Sequence, residues 1–197
     1  MSDYLAAPFG LAGFENPVEE VYPSMVPFIK MEDGQTYAAS EGSSLIEPSK
    51  DGQSLRVVWN KWGRVGGKAG QRFETGITSE VIWRIDGNKL TRTETLTANK
   101  DIKLRRWWVA VPTTADSEKL DLKGGHRTDV FTGRDGILKV AATADWQFET
   151  SLLATGDSKL GKGVLGAIPL HLIYSAEDLQ LKKDKKVTWQ LILEVLK

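Results

Sequence analysis

The 197-residue chain contains no cysteine, which excludes disulfide staples, thiolate nucleophiles and cysteine-based zinc sites without identifying a compartment. Histidine is scarce, with only His126 and His171. The first sits in a Gly-Gly-His-Arg loop and the second inside an apolar strand, so neither has a neighbour at metal-ligand spacing. Tyr174, three residues beyond His171, falls on the opposite side of the same strand and forms no proton-transfer dyad with it. No nucleophile elbow, His-Glu-x-x-His helix or calcium loop is present, and no metal or cofactor is expected. There is also no excess of charge. Lysine plus arginine and aspartate plus glutamate stand at 26 each, with a pI near 6.8, so no global field attracts nucleic acid or an anionic membrane.

Long hydrophobic runs are missing too; none approaches the ~20 residues needed for a membrane helix. The opening MSDYLAAPFGLAGF lacks the basic start and apolar core of a signal peptide. The expected settings are the cytoplasm, or the extracellular or periplasmic space if the chain is a mature or excised segment. What the sequence does hold in excess is tryptophan, 7 residues, as suits a packed β-protein or an aromatic binding site. A single domain of this length buries about 70% of its unfolded surface.

The most legible stretch is Ser79 to Pro112, SEVIWRIDGNKLTRTETLTANKDIKLRRWWVAVP. Asp86-Gly87-Asn88 tolerates positive φ, which sets Ile85 opposite Leu90, Trp83 opposite Arg92 and Val81 opposite Glu94 in a hairpin. Period-two alternation then gives one face with Val81, Trp83, Ile85, Leu90, Arg92, Glu94 and Leu96, and another with the ladder Thr91, Thr93, Thr95 and Thr97. A third strand follows the Asn99-Lys100-Asp101 turn. Strict alternation puts Ile102, Leu104, Arg106, Trp108 and Ala110 on one side, and Lys103, Arg105, Trp107, Val109 and Val111 on the other. One of the two adjacent tryptophans is then core, and the other is an exposed platform or the lid of a second core layer. Trp83 against Arg92 reads as a structural cation–π contact or as half of a sugar-binding surface.

Residues 1 to 35 carry four prolines, Pro8, Pro17, Pro23 and Pro27, and read as an irregular arm whose apolar side chains drape over the domain or dock onto a neighbour. Residues 36 to 197 read as one domain. Strands are expected at Thr36 to Ala39, Ser44 to Glu47, Leu55 to Trp62, Ile137 to Thr143, Trp146 to Ala154, Ala167 to Tyr174 and Val187 to Val195. Residues 113 to 136 read as a polar connection with a short strand at Thr128 to Phe131, residues 156 to 163 as a solvated turn, and Glu177 to Leu181 as a single helical turn. About ten strands and almost no helix give an all-β fold, an antiparallel β-sandwich or its curved, extended form, the supersandwich.

Residues 63 to 72, GRVGGKAGQR, form the best local anion site: Arg64, Lys68 and Arg72 face no acid in the segment. They are not a phosphate-binding P-loop. Trp62 stands where the first glycine belongs, Ala69 replaces the magnesium-binding hydroxyl, and strand rather than helix follows. A long β-hairpin loop is the plainer reading.

From Leu55 to Pro112 the chain resembles the β-rich region of heparinase-like and related polysaccharide-degrading proteins, with long strands, outward Trp and Arg, and an apolar run ending in Pro112. The resemblance implies a supersandwich domain that supports a catalytic partner domain and helps line a saccharide cleft. No catalytic residue is carried over with it. The expected function is a non-catalytic domain contacting an acidic oligosaccharide or polysaccharide through Trp62, Arg64, Lys68, Arg72, Arg105 and Trp107, since guanidinium forks match carboxylate or sulfate and indole faces stack on sugar rings. A mutarotase-like enzyme with His126 or His171 beside a carboxylate, Glu80 or Glu94 in the case of His126, is a second expectation. An assembly module docking through the arm is a third.

Overall fold

The computed structural model describes residues 25–39, 43–68, 70–113, 117–123, 126–133, 136–154 and 170–196. The arm up to residue 24 and the turn at 156–163 lie outside them. Fifteen strands follow in order: β1 (Phe28–Met31), β2 (Thr36–Ala38), β3 (Leu45–Pro48), β4 (Ser54–Trp59), β5 (Trp62–Arg64), β6 (Arg72–Phe73), β7 (Ile77–Asp86), β8 (Lys89–Ala98), β9 (Ile102–Thr113), β10 (Ser117–Lys123), β11 (His126–Gly133), β12 (Gly136–Ala144), β13 (Glu149–Ala154), β14 (Leu170–Leu181) and β15 (Lys186–Leu196). All named strand pairings are antiparallel. They form a seven-stranded sheet ordered β13-β14-β9-β1-β2-β5-β6 and an eight-stranded sheet ordered β10-β11-β12-β15-β8-β7-β4-β3. The fold is the expected all-β sandwich, without helix among the described residues. Among the described residues no helix is long and apolar enough to cross a membrane.

The β7–β8 hairpin has the register read from the sequence, with Ile85 opposite Leu90, Trp83 opposite Arg92 and Val81 opposite Glu94. Its inward face and that of β15 (Trp189, Leu191, Leu193) enter the core. Three expectations change. The end of the arm is a strand, because Pro27 precedes β1 and leaves its ladder donors intact, and β1 lies between β9 and β2. The polar stretch 113–136 holds a paired hairpin, β10–β11: the short strand expected at Thr128 to Phe131 is part of β11, and β10 replaces the expected connection before it. Glu177 to Leu181 is not helical; β14 runs through it, with Asp178 at φ 53°.

That positive φ marks the main departure from simple alternation. On β9 the core takes Ile102 and Leu104, then Trp107, Val109 and Val111; on β14 it takes Leu172, Tyr174 and Ala176, then Leu179 and Leu181. Both strands change parity at the same level, around Arg105 and Asp178, while β1 skips Arg105 by pairing Lys30 with Arg106 and Met31 with Leu104. A bulge adds one residue to the face count, and every side chain beyond it is re-aimed. The expected faces of β9 therefore hold only within each half.

Both adjacent tryptophans are buried as a result. Trp107 lies between the sheets, and Trp108 lies on the other face of its sheet in a second apolar cluster with Phe28, Ala38, Ala110 and Ile173. Trp108 stacks on Phe28 at 5.1 Å, and the Arg106 guanidinium sits 5.1 Å from the Trp108 ring centroid. Of the two alternatives, the second core layer is the one observed.

Where β7 begins, Gly76 has φ +81°, and a Cβ there would meet Asn99 Oδ1 at 2.8 Å. Gly76→Ala is expected to cost roughly 1–2 kcal/mol, the scale of left-handed strain in a side-chain-bearing residue. Urea unfolding checks this; an unchanged midpoint would refute it.

Candidate functional site

The structure separates the residues expected to form one saccharide surface. Trp62 and Trp107 are both 0% exposed and present no face to a sugar. Trp62 belongs to the core because the chain turns at Asn60-Lys61 and enters the other sheet, where the Trp62 indole N–H donates to the Ile77 carbonyl at 2.8 Å. Trp107 is turned inward after the bulge. Arg64, Lys68 and Arg105 are exposed and Arg72 is half-buried.

The glycine-rich segment is the expected hairpin loop, with Trp62 opposite Phe73 and Gly63 opposite Arg72. Two tight turns shape it, the Gly67 N–H donating to the Arg64 carbonyl and the Gln71 N–H to the Lys68 carbonyl, and Gly66 and Gly70 supply the positive φ. Arg105 lies on β9, three strands from β5, or about 14 Å at ordinary strand spacing.

A second set lies inside the sandwich, of which the sequence pointed to Arg92 and Glu94 but not to their ion pair or to its counterpart on β11. Two Arg-Thr-acid triplets, Arg92-Thr93-Glu94 on β8 and Arg127-Thr128-Asp129 on β11, place an arginine and a carboxylate two residues apart on an inward face. Period two guarantees that each pair shares a side. All four charged side chains are buried. Arg127 holds Asp129 with two bonds, Nε to Oδ2 at 2.5 Å and Nη2 to Oδ1 at 2.7 Å, and its Nη1 reaches the Thr150 carbonyl on the facing sheet at 3.4 Å. Arg92 Nη1 donates to Glu94 Oε2 at 3.1 Å, and Ser79 Oγ donates to Glu94 Oε1 at 2.9 Å. The Arg92 guanidinium lies 5.7 Å from the Trp83 ring centroid and 5.3 Å from that of Trp189. Burial pulls the Arg92 pKa below the usual arginine value, opposed by Glu94. The repeated triplet was the signal available in the sequence.

Aromatic rings join the two pairs. Trp107 meets Trp146 at 5.2 Å and Trp189 at 5.3 Å, and Tyr174 meets Trp189 at 5.6 Å and Phe148 at 5.8 Å. Burial, reinforced by the Asp129 charge, pushes the Tyr174 phenol well above its ordinary pKa, so it stays protonated. Among the described residues the donors Arg92 Nε, Trp107 Nε1, Trp146 Nε1 and Trp189 Nε1 and the Tyr174 hydroxyl have no hydrogen-bond partner.

His126 opposes Thr143 and shares the outward parity of β11, away from Arg127 and Asp129. Glu94 faces inward, and Glu80 lies on β7, four strands across the sheet, about 19 Å at strand spacing. The structure brings neither carboxylate to His126. The His171 backbone pairs with Pro112 and Leu153, and its side chain is outside the description. Among the described residues no group of three or more His, Cys, Asp or Glu could hold a metal ion.

No family model matches the sequence, and no curated protein matches it. Solved structures do. A protein of Escherichia coli K12 assigned as an aldose 1-epimerase aligns at a TM-score of 0.50 and 9% identity over 88% of this chain and 84% of its own. A human-microbiome protein assigned as a kojibiose phosphorylase aligns at 0.46 and 9% identity, covering 87% of this chain and 22% of that one. A heparinase III aligns at 0.47 and 7% identity, covering 79% and 21%. The chain thus spans about a fifth of the phosphorylase and heparinase chains, and it is distantly similar in structure to β-sandwich domains of carbohydrate-active proteins.

Proposed function

We propose that this chain is a non-catalytic β-sandwich module that contacts acidic oligosaccharide or polysaccharide, within or beside a polysaccharide-active protein. The carrying observation is the hairpin loop at 63–72, which holds Arg64 and Lys68 exposed at the edge of the seven-stranded sheet with no acid in the segment. Neither residue has an ion-pair partner among the described residues, so both are open to a carboxylate or sulfate. Arg72, opposite Gly63 on the hairpin's second strand, and Arg105, three strands away on β9, lie apart from this pair. The interior supports a binding role over a catalytic one. Glu94 and Asp129 are each held by an arginine, and His126 is turned away from both.

Calorimetric titration with a hexuronate oligosaccharide and a neutral one of equal length tests this. The acidic ligand is expected to bind more tightly, to weaken as salt rises, and to lose about tenfold in affinity in Arg64→Ala/Lys68→Ala, a loss of about 1.4 kcal/mol. Equal binding of the neutral ligand, or an unchanged double variant, would refute the proposal.

A further inference from the structure

Among the described residues the inward face of β7 becomes progressively exposed toward the β7–β8 turn. Along β7 the inward side chains Ile77, Ser79 and Val81 are buried, Trp83 is half-buried and Ile85 is 55% exposed. On the neighbouring strands Leu55, opposite Trp83, is 36% exposed, and Leu90, opposite Ile85, is half-buried. Trp62 of β5 covers Ile77 at the start of β7, its indole N–H donating to the Ile77 carbonyl; the exposed side chains are at the other end of the strand. Arg92, 1% exposed, lies opposite Trp83 with its guanidinium 5.7 Å from that ring, and its Nε–H has no acceptor among the described residues.

We infer that this open end is a binding site for an uncharged small molecule with an aryl or alkyl body and one acceptor oxygen, a carbonyl, ether or hydroxyl. Leu55, Ile85 and Leu90 hold the apolar body, and Arg92 Nε donates to the oxygen once the Trp83 indole swings toward solvent. An apolar body fits because Leu55, Ile85 and Leu90 carry no charge. A neutral head fits because Glu94 already balances the Arg92 charge, and a ligand carboxylate would leave an uncompensated negative charge beside Glu94 in a dry site. A buried donor without an acceptor is costly, and such a ligand supplies the acceptor. This site is distinct from the basic hairpin and does not depend on the saccharide reading.

The test is a two-dimensional 1H–15N NMR titration of the full chain, observing the Arg92 Nε–H and Trp83 Nε1–H resonances. Acetophenone is the probe, ethylbenzene the matched compound without oxygen, and benzoate the charged analogue. Acetophenone is expected to shift both resonances saturably and to bind at least tenfold tighter than either comparator. Ile85→Lys, at an exposed position, is expected to weaken it at least tenfold while the rest of the spectrum is retained. Equal affinity for acetophenone and ethylbenzene, tighter binding of benzoate, an unmoved Arg92 signal, or an Ile85→Lys variant that binds normally would each overturn the proposal. So would concentration-dependent shifts of the same residues without any ligand, which would assign the face to a second copy of the chain.

Discussion

Glu94→Ala is expected to lower the stability of the fold by about 3–5 kcal/mol, the loss found when one partner of a buried ion pair is removed. The substitution leaves the Arg92 guanidinium almost fully buried without a counter-charge, and it takes the acceptor from Ser79 Oγ. Against a typical total of 5–15 kcal/mol the loss is large; for a chain of this length it lowers the melting temperature by about 6–20 °C. The informative companion is Arg92→Met/Glu94→Leu. An apolar pair of similar volume avoids the desolvation cost of both charges, so the double variant is expected to recover wild-type stability or exceed it. Thermal and urea unfolding of the three proteins decide the matter. A Glu94→Ala variant within 1 kcal/mol of wild type would mean that water reaches Arg92 and that the pair is not sealed in the sandwich.

Trp107→Ala is expected to cost about 3–5 kcal/mol by the loss of a large core aromatic. Trp107 is enclosed by Trp146 and Trp189, so the near-ultraviolet circular dichroism of those rings is expected to collapse with it. The control lies two residues away. Arg105→Ala, at an exposed position on the bulge, is expected to fall within about 0.5 kcal/mol of wild type. Under strict alternation Arg105 and Trp107 share a face and an environment, so these variants measure whether the strand changes parity between them. Similar small effects from both would refute the inward placement of Trp107.

Legibility followed the distance over which a local rule operates. The β7–β8 register was readable because Asp86-Gly87-Asn88 fixes the turn and a turn fixes the pairs beside it. The inward face of β15 was readable because five apolar residues alternate without interruption. The order of strands around β10 and β11 was not, because polar side chains there conceal a pairing set by backbone hydrogen bonds. Trp62 was assigned to the surface for a related reason: no residue between Trp59 and Trp62 announces that the chain leaves one sheet for the other.

The sequence by itself determined an antiparallel all-β chain, a β7–β8 hairpin of known register, and an exposed, acid-free basic loop, since each follows from alternation, turn chemistry or composition over a few residues. Only the tertiary structure decided which aromatic residues are available to a ligand. A bulge costs one residue and leaves no mark in composition, yet it reverses every side chain beyond it; paired in β9 and β14, it buried Trp107. Along one face of β7 the tertiary structure buried Ile77, Ser79 and Val81 and left Trp83 half-buried and Ile85 exposed. Burial is a property of what lies across the sandwich, and no residue carries that information alone.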